Sequence, residues 1–121
     1  MLEAPRQRPA KHTVLHTFAA HIQARPADVF AALDARLNPG PAATSAYLAD
    51  PKAFLIVAQG GWWYRAEYRI VPDAHGVNLE HVIINVAQRG AKAALVAGHS
   101  VITSAPLAFH DLVKSLRAEL H

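Results

Sequence analysis

Eight histidines and no cysteine define the side-chain chemistry open to this chain. Imidazole changes charge near neutral pH and can serve as general acid, general base, hydrogen-bond partner or metal ligand. Without thiols there is no disulfide, no thiolate nucleophile and no cysteine-based metal site. The histidine spacing offers no metal site either. H-E-x-x-H does not occur, and His12 and His16 stand four apart on an extended segment, well separated. Nucleophile elbows, glycine-rich phosphate loops and Ser-His-Asp signatures do not occur. Asp28 and Asp34, six apart on a helix, point to different faces and give no carboxylate pair. His16 and His81 remain. His16 shares a strand side with Val14 and Phe18, and His81 shares one with Leu79 and Ile83. A histidine in such a place is either a hydrogen-bonded core residue or an acid, base or ligand contact.

The second concentration of chemistry is "GGWWYRAEYRIV", residues 60–71. It holds four of the nine aromatic residues, Trp62, Trp63, Tyr64 and Tyr68. Successive side chains on a strand point to opposite faces. Alternation predicts one face of Trp62, Tyr64, Ala66, Tyr68 and Ile70. The other carries Trp63, Arg65, Glu67, Arg69 and Val71, with the alternating charges of a solvated surface. Large rings on the buried side fill a core. The same rings can line an apolar pocket, with tyrosine hydroxyls as polar handles and Ala66 as a gap.

Several elements must position these residues. Residues 12–24 alternate and predict a long strand with Val14, His16, Phe18, Ala20 and Ile22 inward. "RPADVFAALDARL" predicts a helix, with Pro26 suited to its first turn, Asp28 near its positive end and an apolar stripe of Val29, Phe30, Leu33 and Leu37. "NPGP" stops it. Residues 42–52 read as a loop or short turn unless a strand hides there. "AFLIVAQ" predicts a strand, and Gly60-Gly61 a two-residue hairpin into the aromatic strand. "VPDAHG" is a turn and "VNLEHVIINVAQ" the last strand of the meander. The rest is helical, with a stripe of Phe109, Leu112, Val113, Leu116 and Leu120. Pro106 predicts a kink or restart at residues 103–106, with Ser104 as cap.

At 121 residues the chain makes one domain. Arg6, Arg8 and Lys11 carry three of its twelve basic charges and Glu3 one of its nine acidic charges. Most of the net +3 therefore sits in residues 1–11, expected to be a flexible basic tail, with the folded domain at 12–121. The folded body carries no basic stripe, which argues against nucleic acid as a partner. No apolar run is long enough for a membrane span, and the N-terminus lacks the apolar core of a signal peptide, so a cytoplasmic location is expected.

The order strand, helix, irregular piece, meander, long helix is an α+β arrangement. The strand leading into "I-x-A-x-P-A-D-V-F-A-A-L-D" at residues 22–34, the meander with "YR-x-EYR-x-x-P" and "N-V-A", and the closing amphipathic helix resemble the START/Bet v 1-like helix-grip superfamily. The polyketide cyclase/dehydrase-like bacterial members are nearest. The resemblance implies an antiparallel sheet wrapped around the C-terminal helix, in shortened form because only four strands are evident. It also implies a hydrophobic or aromatic small molecule bound between sheet and helix. The expected lining is Trp62, Tyr64, Tyr68, His81, His16, Phe18 and Ile83, with no cofactor and no metal. Two rival expectations are a cyclase-like enzyme moving protons through a Tyr–His pair, and a homodimeric module touching through Trp63 or the apolar helix.

Overall fold

The computed structural model describes residues 1–120. Nine elements follow one another: β1 (Leu2–Glu3), β2 (Thr13–Ile22), α1 (Pro26–Leu37), β3 (Ala46–Asp50), β4 (Leu55–Gly60), β5 (Tyr64–Asp73), β6 (Gly76–Asn85), α2 (Ala91–Ala97) and α3 (His99–Glu119). The strands form one sheet in the order β1-β3-β4-β5-β6-β2, antiparallel except where β1 runs parallel to β3. Both α1 and α3 lie against one face of it. The fold is α+β, a sheet with a long C-terminal helix across it, as the order of apolar patterns predicts.

Local rules account for most boundaries. Pro26 occupies the first turn of α1, where its missing N–H costs nothing, and Asp28 meets the positive end of the helix. The helix stops because Asn38 precedes Pro39 and is held in an extended conformation, with ψ of 116°. The apolar stripe of α1 closes over the sheet with Val29, Phe30 and Leu33 buried beside Ile56, Tyr68 and Ile70. From the other end of the same face α3 inserts Phe109, Val113 and Leu116. Leu116 is wholly buried.

Four expectations change. Residues 42–52 contain a strand, β3, paired to β4 from Ala46↔Gln59 to Asp50↔Leu55. The bend in the C-terminal helical region falls at Gly98, and α2 meets α3 there at 64°. Pro106 sits inside a continuous α3. Ser104 is mid-helix rather than a cap, and its hydroxyl donates back to the Ser100 carbonyl at 2.6 Å. The third change concerns the β4–β5 connection. Gly60 pairs with Tyr64, so residues 61–63 form a three-residue loop, with Gly61 at φ 60°.

The fourth change concerns both the expected flexible tail and the expected solvated face. Residues 2–3 add an edge strand to the sheet, and residues 4–8 cross its outer face. Leu2 and Glu3 pair with Ala46 and Tyr47, and Ala4 is buried with Leu55 and Val57. Arg65 is completely buried beneath this arm and Glu67 nearly so. The guanidinium of Arg65 donates from Nε to Glu67 at 2.9 Å, from one terminal nitrogen to the Pro5 carbonyl at 2.7 Å and from the other to the Arg6 carbonyl at 2.8 Å. Arg8 closes on Glu67 with Nε and Nη2, at 3.0 and 2.8 Å. Burial alone would push the Glu67 carboxyl up. Hydrogen bonds from Arg8 and Arg65, with their charges, outweigh that and hold it below the usual range. Alternating charge on a strand looks solvated in sequence, but paired charges can be buried when their donors are all met.

Candidate functional site

The register of the sheet assembles the expected residues in rows. Across the inner face Ile56 opposes Tyr68, Tyr68 opposes His81, and His81 opposes Phe18. The next row runs Tyr47, Ala58, Ala66, Ile83, His16. Alternation thus places Tyr64, Tyr68, His81, Ile83, His16 and Phe18 on the inner face, as expected. Trp62 is not among them. It belongs to the 61–63 loop, where strand alternation does not apply, and it stands 51% exposed outside the sheet. Its neighbour Trp63 is the buried one, packed with Ala87, Ala94 and Ile102 and edge-on to Tyr64 at 5.4 Å.

The Tyr68–His81–Phe18 row forms an aromatic stack. Tyr68 and His81 lie face to face, with centroids 4.1 Å apart and planes 5° apart. Phe18 stacks on His81 at 5.8 Å and on His16 at 5.2 Å. Phe109 of α3 packs against both Phe18 and His81, at 5.1 and 5.7 Å. The Nδ1 of His81 lies 3.2 Å from the Glu67 carbonyl oxygen. A carbonyl only accepts, so Nδ1 carries the proton. Burial lowers the pKa of His81 to about 4, partly opposed by that hydrogen bond. Burial likewise pushes the Tyr68 phenol up. At neutral pH both rings are uncharged. Stacked rings direct their polar atoms along their own planes, not at each other, so this geometry packs the two rings and does not link them by a hydrogen bond.

Of the four cavities described, none is lined by Tyr68, His81, His16 or Ile83. Phe109 takes the room beneath α3. The cavity on the inner face lies toward α1. It holds about 160 Å³, and its lining includes Leu37, Tyr47, Ala58, Gly60 and Tyr64 together with the polar Ser45 and Gln59. The cause is short residues on β4 between long ones on its neighbours: Ala58 opposes Tyr47 of β3, and Gly60 opposes Tyr64 of β5. Tyr47 is anchored by its hydroxyl, which donates to Asp34 Oδ1 at 2.6 Å. Burial, and then that bond to Asp34, push its phenol well up. Burial alone raises the phenol of Tyr64. Both tyrosines therefore present neutral hydroxyls.

Sequence reading found Tyr64 but missed Tyr47, Ala58 and Leu37. The signal for Tyr47 was its place in "SAYLAD", where Tyr47 and Ala49 alternate against Leu48 and Asp50. Three further cavities lie away from this site. One of about 370 Å³ lies between residues 23–26 and the Asp73–Gly76 turn, and two of about 240 and 290 Å³ flank Arg8 on the outer face. Among the described residues, no three His, Asp or Glu side chains gather as metal ligands would. The chain matches no protein-family model, no curated protein and no solved structure.

Proposed function

We propose that this protein binds a small, flat, apolar or aromatic molecule in the inner-face pocket between Tyr47 and Tyr64. The observation that carries the reading is the alanine gap. Ala58 opposes Tyr47 and Gly60 opposes Tyr64, and these short residues leave about 160 Å³ beneath the end of α1. An apolar cavity of ~150 Å³ can hold a benzene-sized ligand, so this half-open space of similar volume suits one ring or a short acyl chain. Apolar burial supplies most of the affinity, at ~25 cal/mol per Å², and the Tyr64 hydroxyl offers a polar contact. The resemblance to hydrophobic-ligand-binding helix-grip proteins supports this reading. The expected position under the C-terminal helix moves to the α1 side, because Phe109 occupies the former.

Trp63 packs edge-on to Tyr64, so its emission reports on the pocket. Trp62→Phe removes the exposed second indole. In that background, titration with a naphthalene-type probe or with phenol should give a saturable change in Trp63 emission. Adding Ala58→Leu fills the gap and should abolish the change while the protein still melts cooperatively. A response that persists in the Ala58→Leu protein, or no saturable response in the parent, would rule out this pocket.

A further inference from the structure

The two adjacent tryptophans part company, and their separation builds a surface. Trp63 turns inward and wedges into the elbow between α2 and α3, where a Cβ on Gly98 would run into its ring. Glycine at 98 is what lets the indole enter. With Trp63 fixed, Trp62 is left outside, half-exposed, its ring against Gly90 at the start of α2. Along α2 the side chains of Leu95 and Val96 are exposed, Val96 at 80%, and α3 adds Val101 beyond the elbow. A seven-residue helix spans only ~10 Å, so these groups crowd one end of the molecule.

The charge on that end has one sign. No acidic residue occurs between Glu80 and Asp111. Arg89 and Lys92 are exposed at the start of α2, and Lys11 reaches the same end by donating to the Gln88 carbonyl at 2.8 Å. We propose that this tip is a docking surface for an anionic lipid bilayer, with Trp62, Leu95 and Val96 entering the interfacial layer and Arg89, Lys92 and Lys11 meeting the headgroups. Indole favours the boundary between apolar and polar layers, and cations beside inserted apolar groups gain from a negative membrane surface. The alternative occupant, a second copy of the chain, fits worse. A two-fold contact would set this cationic tip against itself with no carboxylate to meet it. The contact is peripheral in this proposal: no single helix is long and apolar enough to cross a membrane, and α3 of the bent α2–α3 pair, which together has the length and composition, commits Phe109, Val113 and Leu116 to the core.

The test is co-sedimentation with phosphatidylcholine vesicles, with and without phosphatidylserine. Full-length protein should partition onto the serine-containing vesicles, with a blue shift of Trp62 emission, and release as salt rises. Partition should fall roughly fivefold for each cation removed by Arg89→Gln or Lys92→Gln. Val96→Asp should nearly abolish it. Residue 96 is so exposed that the variant should melt as the wild type does and still bind the pocket probe. Equal partition onto both vesicle types, or none, overturns the proposal. So does a concentration-dependent dimer in sedimentation velocity that Val96→Asp dissociates, which would make the tip a self-contact.

Discussion

His16 Nε2 lies 2.8 Å from the carbonyl oxygen of Ile102, the carbonyl that Pro106 leaves without its helical partner. In an α-helix that oxygen would accept from the N–H four residues on, and proline has none. Because a carbonyl only accepts, His16 donates from Nε2. A strand histidine thus supplies the missing donor of a helix 86 residues away, which is why α3 runs through Pro106 without breaking. His16→Leu should leave the carbonyl unmet and cost ~1–3 kcal/mol. Pro106→Ala returns an N–H to position 106. In that background His16→Leu should cost less than half as much, a coupling read from chemical denaturation of the four proteins. Additive losses would mean that the contact does not satisfy this carbonyl.

The arm over the outer face predicts a stability effect that its sequence conceals. Arg8→Ala removes a two-pronged contact to a nearly buried carboxylate and should cost ~1.5–3 kcal/mol. Deleting residues 1–8 should cost more, because Arg65 also loses the Pro5 and Arg6 carbonyls while staying charged beneath the sheet. Denaturant midpoints measure both. A deletion that shifts stability by no more than ~0.5 kcal/mol, as surface changes do, would mean that the arm is not held in solution.

What could be read from sequence follows from what periodicity encodes. The strand carrying His16 and Phe18, helix α1 and the Tyr68/His81 meander each repeat at a period of two or near 3.6, so their inner faces were legible. The arm has no such repeat. It is held by main-chain carbonyls accepting from Arg65, and a main-chain acceptor has no residue type to recognise. Strand β3 is five residues long and sits between Pro41 and Pro51, a length at which alternation barely registers. Trp62 was misplaced by extending strand alternation into a loop. The pocket was invisible for a different reason. It comes from Tyr47, Ala58 with Gly60, and Tyr64 being neighbours across three strands, and register is set by strand pairing rather than by local sequence.

The buried histidine makes the fold sensitive to acid in a defined window. His81 has an ordinary pKa of 6.5, which the unfolded chain restores, and burial lowers it to about 4 in the folded protein. Between these values the unfolded state binds the proton and the folded state does not, so acid favours unfolding. The stability in question is fully present above pH ~6.5 and is lost progressively as pH falls toward ~4, by ~3 kcal/mol in all. Glu67 works in the same direction but lower, since its carboxyl is held below the ordinary 4.5 and its contribution fades only beneath that. The two are therefore separable. His81→Phe keeps an aromatic ring between Tyr68 and Phe18 and removes the titrating group. Its unfolding free energy should be nearly flat from pH 7 to 5, where the wild type falls, and both proteins should lose stability below pH ~4.5. Equal slopes for the two proteins between pH 7 and 5 would mean that His81 takes up its proton in the folded state as easily as in the unfolded chain, and that the stacked ring is more open to water than its packing against Phe18, Tyr68 and Phe109 implies.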